Sequence, residues 1–396
     1  MKRRIWGGIA GVAILAAGGF FAFAPGIVED GQNRVVAHQP WPVSDTAKAL
    51  HKRLVIGDWH ADALLWDRDL TKRSSHGHTD LPRLRDGNVA VQVFTTVTKS
   101  PKGQNYEHNT ASASDNITAL VIAQLRPVAS WTSLAARALD QAARLSAMAA
   151  AAPEQLQILR QRSDLERLLA ARQAGATTIG GLLGAEGGHA LEGDLANLGR
   201  FYDAGFRLLG LTHFFDNELG GSLHGEGATA QGGNGAGLTE FGRAVVTEMI
   251  ARSMIIDLAH ASPQMARDVL AMPDAHPIVS HSGIYSHCQT QRNFPDDLMQ
   301  AIAAKGGVIG IGFWEDVTCD ATPKGIASAI SAALALVGED HVSLGSDYDG
   351  AVETTFDVSE LAALTQALLD AGLSEEVIAK VMGGNMMRYL SQSLPQ

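Results

Sequence analysis

Cysteine is nearly absent. Among 396 residues only Cys288 and Cys319 occur, which excludes a disulfide-stapled fold and leaves room for one bridge at most. No cysteine-centred catalytic motif surrounds Cys288, so a small buried filler is expected there rather than a nucleophile. Basic blocks are missing too: the net charge of −11 comes from scattered acids, and no stretch interleaves Lys or Arg with aromatics. Nucleic acid is therefore excluded as a partner, and a small molecule or peptide is favoured. No shift in composition divides the main body, and the C-terminus carries no apolar tail.

The N-terminus carries the one long apolar run. Lys2-Arg3-Arg4 precedes an unbroken stretch from Ile5 to Ala24, the pattern of an export signal. Ala22-Phe23-Ala24 has the form of a cleavage site, yet the run is long enough to span a bilayer, so residues 1–25 read as a signal peptide or a transmembrane anchor. Either fate puts the following domain outside the cytoplasm, periplasmic or extracellular. No cysteine follows the run for lipid attachment. Residues 26–43, polar and Pro-containing, read as a linker, and residues 44–396 as one domain.

Short apolar runs then alternate with helical patterns. Strands are expected at Leu54–Asp62, Val89–Thr95, Thr177–Ala185, Phe206–His213, Met254–His260, Pro277–His281, Gly307–Phe313 and Val342–Asp347. Helices are expected at Ser44–His51, Asp80–Asn88, Leu238–Arg252, Lys324–Val337 and Val358–Ala371, with two or three more in an Ala-rich insertion at about 112–174. Eight strands alternating with helices is the count of an α/β fold of the (β/α)₈ TIM-barrel type, whose strand ends form the working rim.

Six of these strands end in an ionisable residue: His60 with Asp62, Glu186, His213, His260, His281 and Asp347. A lone histidine after a strand ordinarily hydrogen-bonds in a loop, but one metal site on the rim accounts for all six at once. His60 and Asp62 sit two apart, so a strand turns both to one side. Glu186 is followed by Gly187-Gly188, which permits a sharp turn, and its two oxygens can hold two cations. The polar loop 99–109 and the Gly-rich loop 214–238, with Asp216, Asn217 and His224, are expected to border the cavity. His78-Thr79-Asp80 repeats the His-x-Asp pattern in a polar stretch and reads as surface. His38, His51, His108 and His341 read as surface or structural, and His189 as a loop residue.

With these residues in view, the chain from about Leu54 to Tyr389 resembles the membrane (renal) dipeptidase family, the M19 peptidases of the amidohydrolase superfamily. The likeness is carried by Asp58-Trp59-His60-Ala61-Asp62, Asp80-Leu81-Pro82-Arg83-Leu84, Ala185-Glu186-Gly187-Gly188-His189, Leu211-Thr212-His213, Ile256-Asp257-Leu258-Ala259-His260, Ser280-His281-Ser282, Arg292-Asn293 with Pro295-Asp296-Asp297, and Gly345-Ser346-Asp347-Tyr348-Asp349-Gly350. The resemblance implies two Zn²⁺ per chain, one on His60, Asp62 and Glu186 and one on Glu186, His260 and His281. It also implies that His213 touches the scissile carbonyl, that Arg292 takes the substrate's terminal carboxylate, and that Asp347 handles protons. Trp59 and Ala61 depart from the Gly and Asn usual in the first motif, which bears on pocket shape.

The expected activity is hydrolysis of dipeptides by a metallo-dipeptidase, with hydroxide made from water held between two ions. Rivals are a related amidohydrolase acting on N-acyl amino acids, lactams or phosphoesters, and a non-catalytic metal-binding barrel. Arg292 has its own alternative, a loop ion pair with Asp296 or Asp297. A homodimer stays open.

Overall fold

In the computed structural model, which describes residues 18–21, 23–228 and 233–396, nine parallel strands are present among the described residues. They are β1 (Ile56–Ala61), β2 (Val89–Val97), β3 (Leu156–Ile158), β4 (Ile179–Glu186), β5 (Phe206–Gly210), β6 (Ile255–Asp257), β7 (Val279–Ser282), β8 (Ile309–Ile311) and β9 (Val342–Leu344). The sheet runs β6-β5-β4-β2-β1-β9-β8-β7. It closes between its ends through the parallel bridge Asp257↔Ile278, with the Leu258 amide donating to the Ile278 carbonyl at 2.9 Å. This is a (β/α)₈ barrel. All eight barrel strands are buried along their length, the state that continuous apolar runs favour when helices cover a parallel sheet.

Local chemistry places the helices. Ser44 accepts the Ala47 amide to cap Asp45–Arg53, Asp80 accepts Arg83 to cap Leu81–Asp86, and Thr322 accepts Gly325 to cap Pro323–Val337. Pro82, Pro263 and Pro323 occupy first turns, where a missing N–H costs nothing.

β3 is unexpected from the sequence. It pairs with Ile179–Gly181 at the start of β4, while β5 takes Leu183–Ala185 further along, so the two succeed each other on one edge. The insertion carries helices at Asn116–Ala123, Ala129–Thr132, Leu134–Ala151 and Arg162–Gln173. Three apolar-spaced residues were too few to mark a strand inside an Ala-rich stretch.

The expected export run lies mostly outside the described residues. Among those described, no helix is long and apolar enough to cross a membrane. Residues 26–43 do not form the open linker that their composition suggests. The chain is helical to residue 32, and Glu29 is buried with its carboxylate 2.5 Å from Arg68 Nε and 3.2 Å from His76 Nε2. Asn33 Oδ1 accepts the Ala351 amide at 2.9 Å, and Val35 bridges Thr354. Glu29 thus finds its partners on the loop after β1, and Asn33 and Val35 find theirs on the loop after β9.

His78, Thr79 and Asp80 are likewise fully buried rather than on the surface. His78 Nδ1 accepts the Asp349 amide at 3.0 Å, and Asp349 Oδ1 accepts the His78 amide at 2.6 Å. Cys288 is not a free filler: it is bridged to Cys319, tying the loop after β7 to the one after β8.

Candidate metal centre

Each barrel strand that ends in an ionisable residue delivers it to the same mouth. Glu186 closes β4, and the turn that follows requires Gly187. Its φ is 97°, and a Cβ there would lie 2.2 Å from the His189 ring. The loop after β9 is strained in the same place: Asp347, Asp349 and Ala351 all hold left-handed backbone, at φ of 60°, 63° and 60°.

Glu186 Oε1 is the hub. It lies 3.4 Å from His60 Nε2, 3.2 Å from His260 Nε2 and 3.4 Å from His281 Nε2. His60 Nε2 is 3.3 Å from Asp62 Oδ1, and the two histidine nitrogens of His260 and His281 face each other at 3.0 Å. Thr95 steadies Asp62 by donating to its Oδ1 at 2.5 Å. Asp347 Oδ1 stands 3.8 Å from His60 Nε2, and His213 Nε2 stands 3.4 Å from Glu186 Oε2. The sequence-derived residues thus come together, and three overlapping groups have ligand atoms within reach of one ion: His60-Asp62-Glu186, Glu186-His213-His260 and His60-His281-Asp347. His213 and Asp347, expected to serve the substrate and protons, therefore also stand within ligand reach.

The electrostatics fit a cation. Burial and the nearby Asp62 raise Glu186 well above the usual carboxylate range, and burial pushes Asp347 up to about 8 against the pull of His60. Burial opposes charge on His60, but Asp62 and Glu186 overcome it and push the ring up to about 10. Burial, with the Arg292 charge, holds His260 well below its ordinary value, and burial with the His60 and Arg292 charges does the same to His281. Two neutral rings with Nε2 atoms 3.0 Å apart either share one N–H···N hydrogen bond or, with both hydrogens on Nδ1, present two lone pairs to one cation. Separations of 3.2–3.4 Å around Glu186 lie close to the edge of a tetrahedron, about 3.3–3.6 Å, with metal–ligand bonds of about 2.0–2.2 Å. The donor set of imidazole and carboxylate suits zinc.

Arg292 is buried beside the centre. Its guanidinium donates to the carbonyls of Ala259 at 3.0 Å and His281 at 2.9 Å, and lies 5.4 Å from the Trp314 ring. The loop pairing with Asp296 or Asp297 does not occur: Asp297 pairs with Arg267, and Asp296 accepts the Ser286 amide.

A cavity of about 450 Å³ opens above, lined by Asp62, Glu186, His213, His260, Arg292 and Asp347. Ser100, Gln104 and Tyr106 from the loop after β2, and Phe214 from the loop after β5, join it. Val28 and Gln32 of the N-terminal helical segment also reach the cavity wall, which composition gave no sign of. Trp59 and Ala61 are fully buried and do not line it; Trp59 packs edge-on against Tyr389, at 5.6 Å between centroids. His224, which reads as a rim residue, is fully buried against Phe214 and Tyr106.

A family model described as membrane dipeptidase (peptidase family M19) matches residues 44–394. Dipeptidase aclJ of Aspergillus oryzae is 35% identical over 220 residues, covering 54% of this chain and 51% of that protein. Dipeptidase 3 of Macaca fascicularis is 31% identical over 345 residues, covering 84% of this chain and 67% of that one. The chain thus spans between half and two thirds of the length of these relatives. Among solved structures, a metallo peptidase from Rhodobacter sphaeroides, liganded with a phosphinate mimic of the dipeptide L-Ala-D-Ala, superposes with a TM-score of 0.68 at 23% identity. That likeness covers 86% of this chain and 99% of the other.

Proposed function

Because the chain belongs to the membrane dipeptidase family, peptidase family M19, we propose that it is a zinc-dependent dipeptidase that hydrolyses the peptide bond of dipeptides. The observation that carries this reading is the convergence of His60, His260 and His281 on one oxygen of Glu186 at 3.2–3.4 Å, inside a closed-barrel mouth. One ion would be held by His60, Asp62 and Glu186, and a second by Glu186, His260 and His281. Zinc in such donors lowers the pKa of water toward neutrality and polarises a carbonyl, which no side chain here can do alone.

The protein's own groups do the rest. Arg292 pairs with the substrate's terminal carboxylate. The carbonyls of Ala259 and His281 already fix its plane, and a guanidinium has further N–H donors to offer. His213, pushed down to about 4 by burial, is neutral at pH 7. To donate to the carbonyl oxygen as charge develops there, it carries its proton on Nε2 and gives up the long 3.4 Å contact from Nδ1 to the Lys99 carbonyl. Asp347 accepts a proton at its carboxylate from the attacking water and returns it to the leaving amine; burial raises this carboxyl and cations held beside it would lower it again, which brings the exchange toward neutrality.

A cavity of about 450 Å³ suits a substrate of dipeptide size. The dipeptide mimic bound by the Rhodobacter sphaeroides relative supports the same class. Export is supported by Lys2-Arg3-Arg4 with the apolar run after it, and by the Cys288–Cys319 bridge, since disulfides persist in oxidising compartments. The test is a comparison of rates on a dipeptide, an N-acyl amino acid and a phosphotriester, before and after chelation and zinc repletion. Dipeptide turnover that disappears with chelation and returns with zinc is expected. Turnover of the phosphotriester alone would overturn the substrate assignment.

A further inference from the structure

Behind the ligand histidines lies a pair of residues that the proposed mechanism does not use. Ser280, inside β7, and Asp257, the last residue of β6, are both buried. Ser280 Oγ lies 2.6 Å from Asp257 Oδ2, 2.8 Å from His281 Nδ1 and 3.3 Å from His60 Nδ1. Asp257 Oδ1 accepts two backbone amides, from Ala259 at 3.1 Å and Ser280 at 2.8 Å.

A hydroxyl has one hydrogen and two acceptor lone pairs, whereas a carboxylate only accepts. The Ser280 hydrogen therefore goes to Asp257, and both lone pairs are left for the two rings. In the neutral form that binds a metal, each ring must then donate from Nδ1, which leaves Nε2 without a hydrogen. Those bare Nε2 atoms are the ones that face Glu186 Oε1, each at 3.4 Å. His260 differs, since its buried Nδ1 has no partner.

We propose that Ser280 and Asp257 are positioning residues that fix the metal-binding tautomer of His60 and His281 together, one histidine in each half of the zinc centre. The inference rests on the reading of those two histidines as ligands. Hydrogen bonds behind a ligand histidine commonly set its tautomer and orientation. Here a single hydroxyl sets two, and the two belong to different ions.

The fold supplies a matched control. Asp58 Oδ2 accepts the Ser346 hydroxyl at 2.6 Å and its Oδ1 accepts the Ser346 amide at 2.8 Å, a pairing of the same kind at β1 and β9. Ser346 Oγ otherwise meets backbone groups, the His60 carbonyl and the Tyr348 amide, each at 3.1 Å, and Asp58 Oδ1 also accepts the His60 amide at 3.4 Å; neither residue contacts an imidazole.

Zinc affinity, measured by competition with a chromophoric chelator, separates the two pairs, alongside the melting temperature of the chelated protein. In Asp257→Asn the amide oxygen must face the two backbone N–H groups, so the amide nitrogen faces Ser280. The hydroxyl then turns its hydrogen to one ring, whose Nε2 becomes N–H and cannot bind. One of the two zinc ions should weaken by about 10–100-fold while the other is retained. Ser280→Ala deletes one buried oxygen, is the safer variant to fold, and should loosen both ions by a smaller factor. Asp58→Asn should lower the melting temperature and leave zinc affinity at the wild-type level.

The inference is overturned if Asp257→Asn and Ser280→Ala bind both ions as tightly as wild type, or if Asp58→Asn weakens zinc as much as they do. A wild-type chain that takes up no zinc would instead overturn the reading of the centre itself, and this inference with it.

Discussion

The imidazole rings of His60 and His281 lie 3.8 Å apart, centroid to centroid, although β1 and β7 are not neighbours in the sheet. They meet across the barrel mouth. The two proposed ligand sets therefore share a wall as well as the Glu186 carboxylate, and groups in such contact do not respond independently to substitution.

Asp347 tests the division between ligand and proton carrier. It lies near His60 and His281, yet its nearest approach to His60 Nε2 is 3.8 Å, longer than that of Asp62 at 3.3 Å. Asp347→Asn should keep zinc and lose most of kcat, by about 100-fold or more, because it removes the proton acceptor. Zinc counting beside steady-state kinetics checks this. Loss of an ion would make Asp347 a ligand instead.

Arg292 tests the substrate class. Arg292→Met removes a buried charge-assisted contact worth on the order of 2–5 kcal/mol, so kcat/KM on a dipeptide should fall by roughly 30-fold or more. Wild type should discriminate against the same dipeptide with an amidated C-terminus, and the variant should treat acid and amide more nearly alike. Because the guanidinium also holds the Ala259 and His281 carbonyls, some loss on both substrates is expected. Only the coupling between the two changes reports carboxylate reading, and a coupling near zero would remove Arg292 from the substrate site.

His51 sets a pH dependence away from the proposed metal centre. Its Nδ1 is 2.8 Å from Thr365 Oγ1 and its Nε2 is 3.1 Å from the Gly87 carbonyl. Burial pushes the ring down to about 4, partly opposed by Gly87. The unfolded chain then binds the proton first, so His51 contributes stability that is full above about pH 6.5 and is lost as pH falls through about 4. The amount is on the order of 3 kcal/mol. Denaturant titrations between these limits should show a shallower pH slope in His51→Gln than in wild type. Equal slopes would contradict the burial argument.

Asn33 tests whether the N-terminal segment shapes the cavity. Its side chain holds the Ala351 amide, and Ala351 and Val352 line the cavity. Asn33→Ala should forfeit about 1 kcal/mol of local order and raise KM by about 5-fold, with zinc content unchanged. An unchanged KM would show that the wall stands without this contact.

The barrel was legible because each strand is buried on both faces and reads as an apolar run, and because the rim residues follow those runs directly. His60, His260 and His281 could be read on that ground. What escaped is long-range pairing of polar residues. The surface reading of His78-Thr79-Asp80 failed because Asp349, far along the chain, satisfies His78 in the interior. Glu29 and Asn33 looked like linker residues for the same reason. Cys288 and Cys319 gave no spacing from which a bridge could be read, and Ser280 carries no signature apart from the histidine beside it. Sequence patterns report burial by period; they do not report which polar group a buried polar group meets.

The most direct measurement is metal counting by mass spectrometry on the purified wild type and on Glu186→Gln, with circular dichroism to establish that both are folded. A neutral amide cannot bridge two cations as a carboxylate does. Wild type is expected to carry two zinc ions per chain, and the folded variant to lose both under the same dialysis. A folded Glu186→Gln protein that retains two zinc ions, or a zinc-free wild type that still hydrolyses dipeptides, would contradict the account.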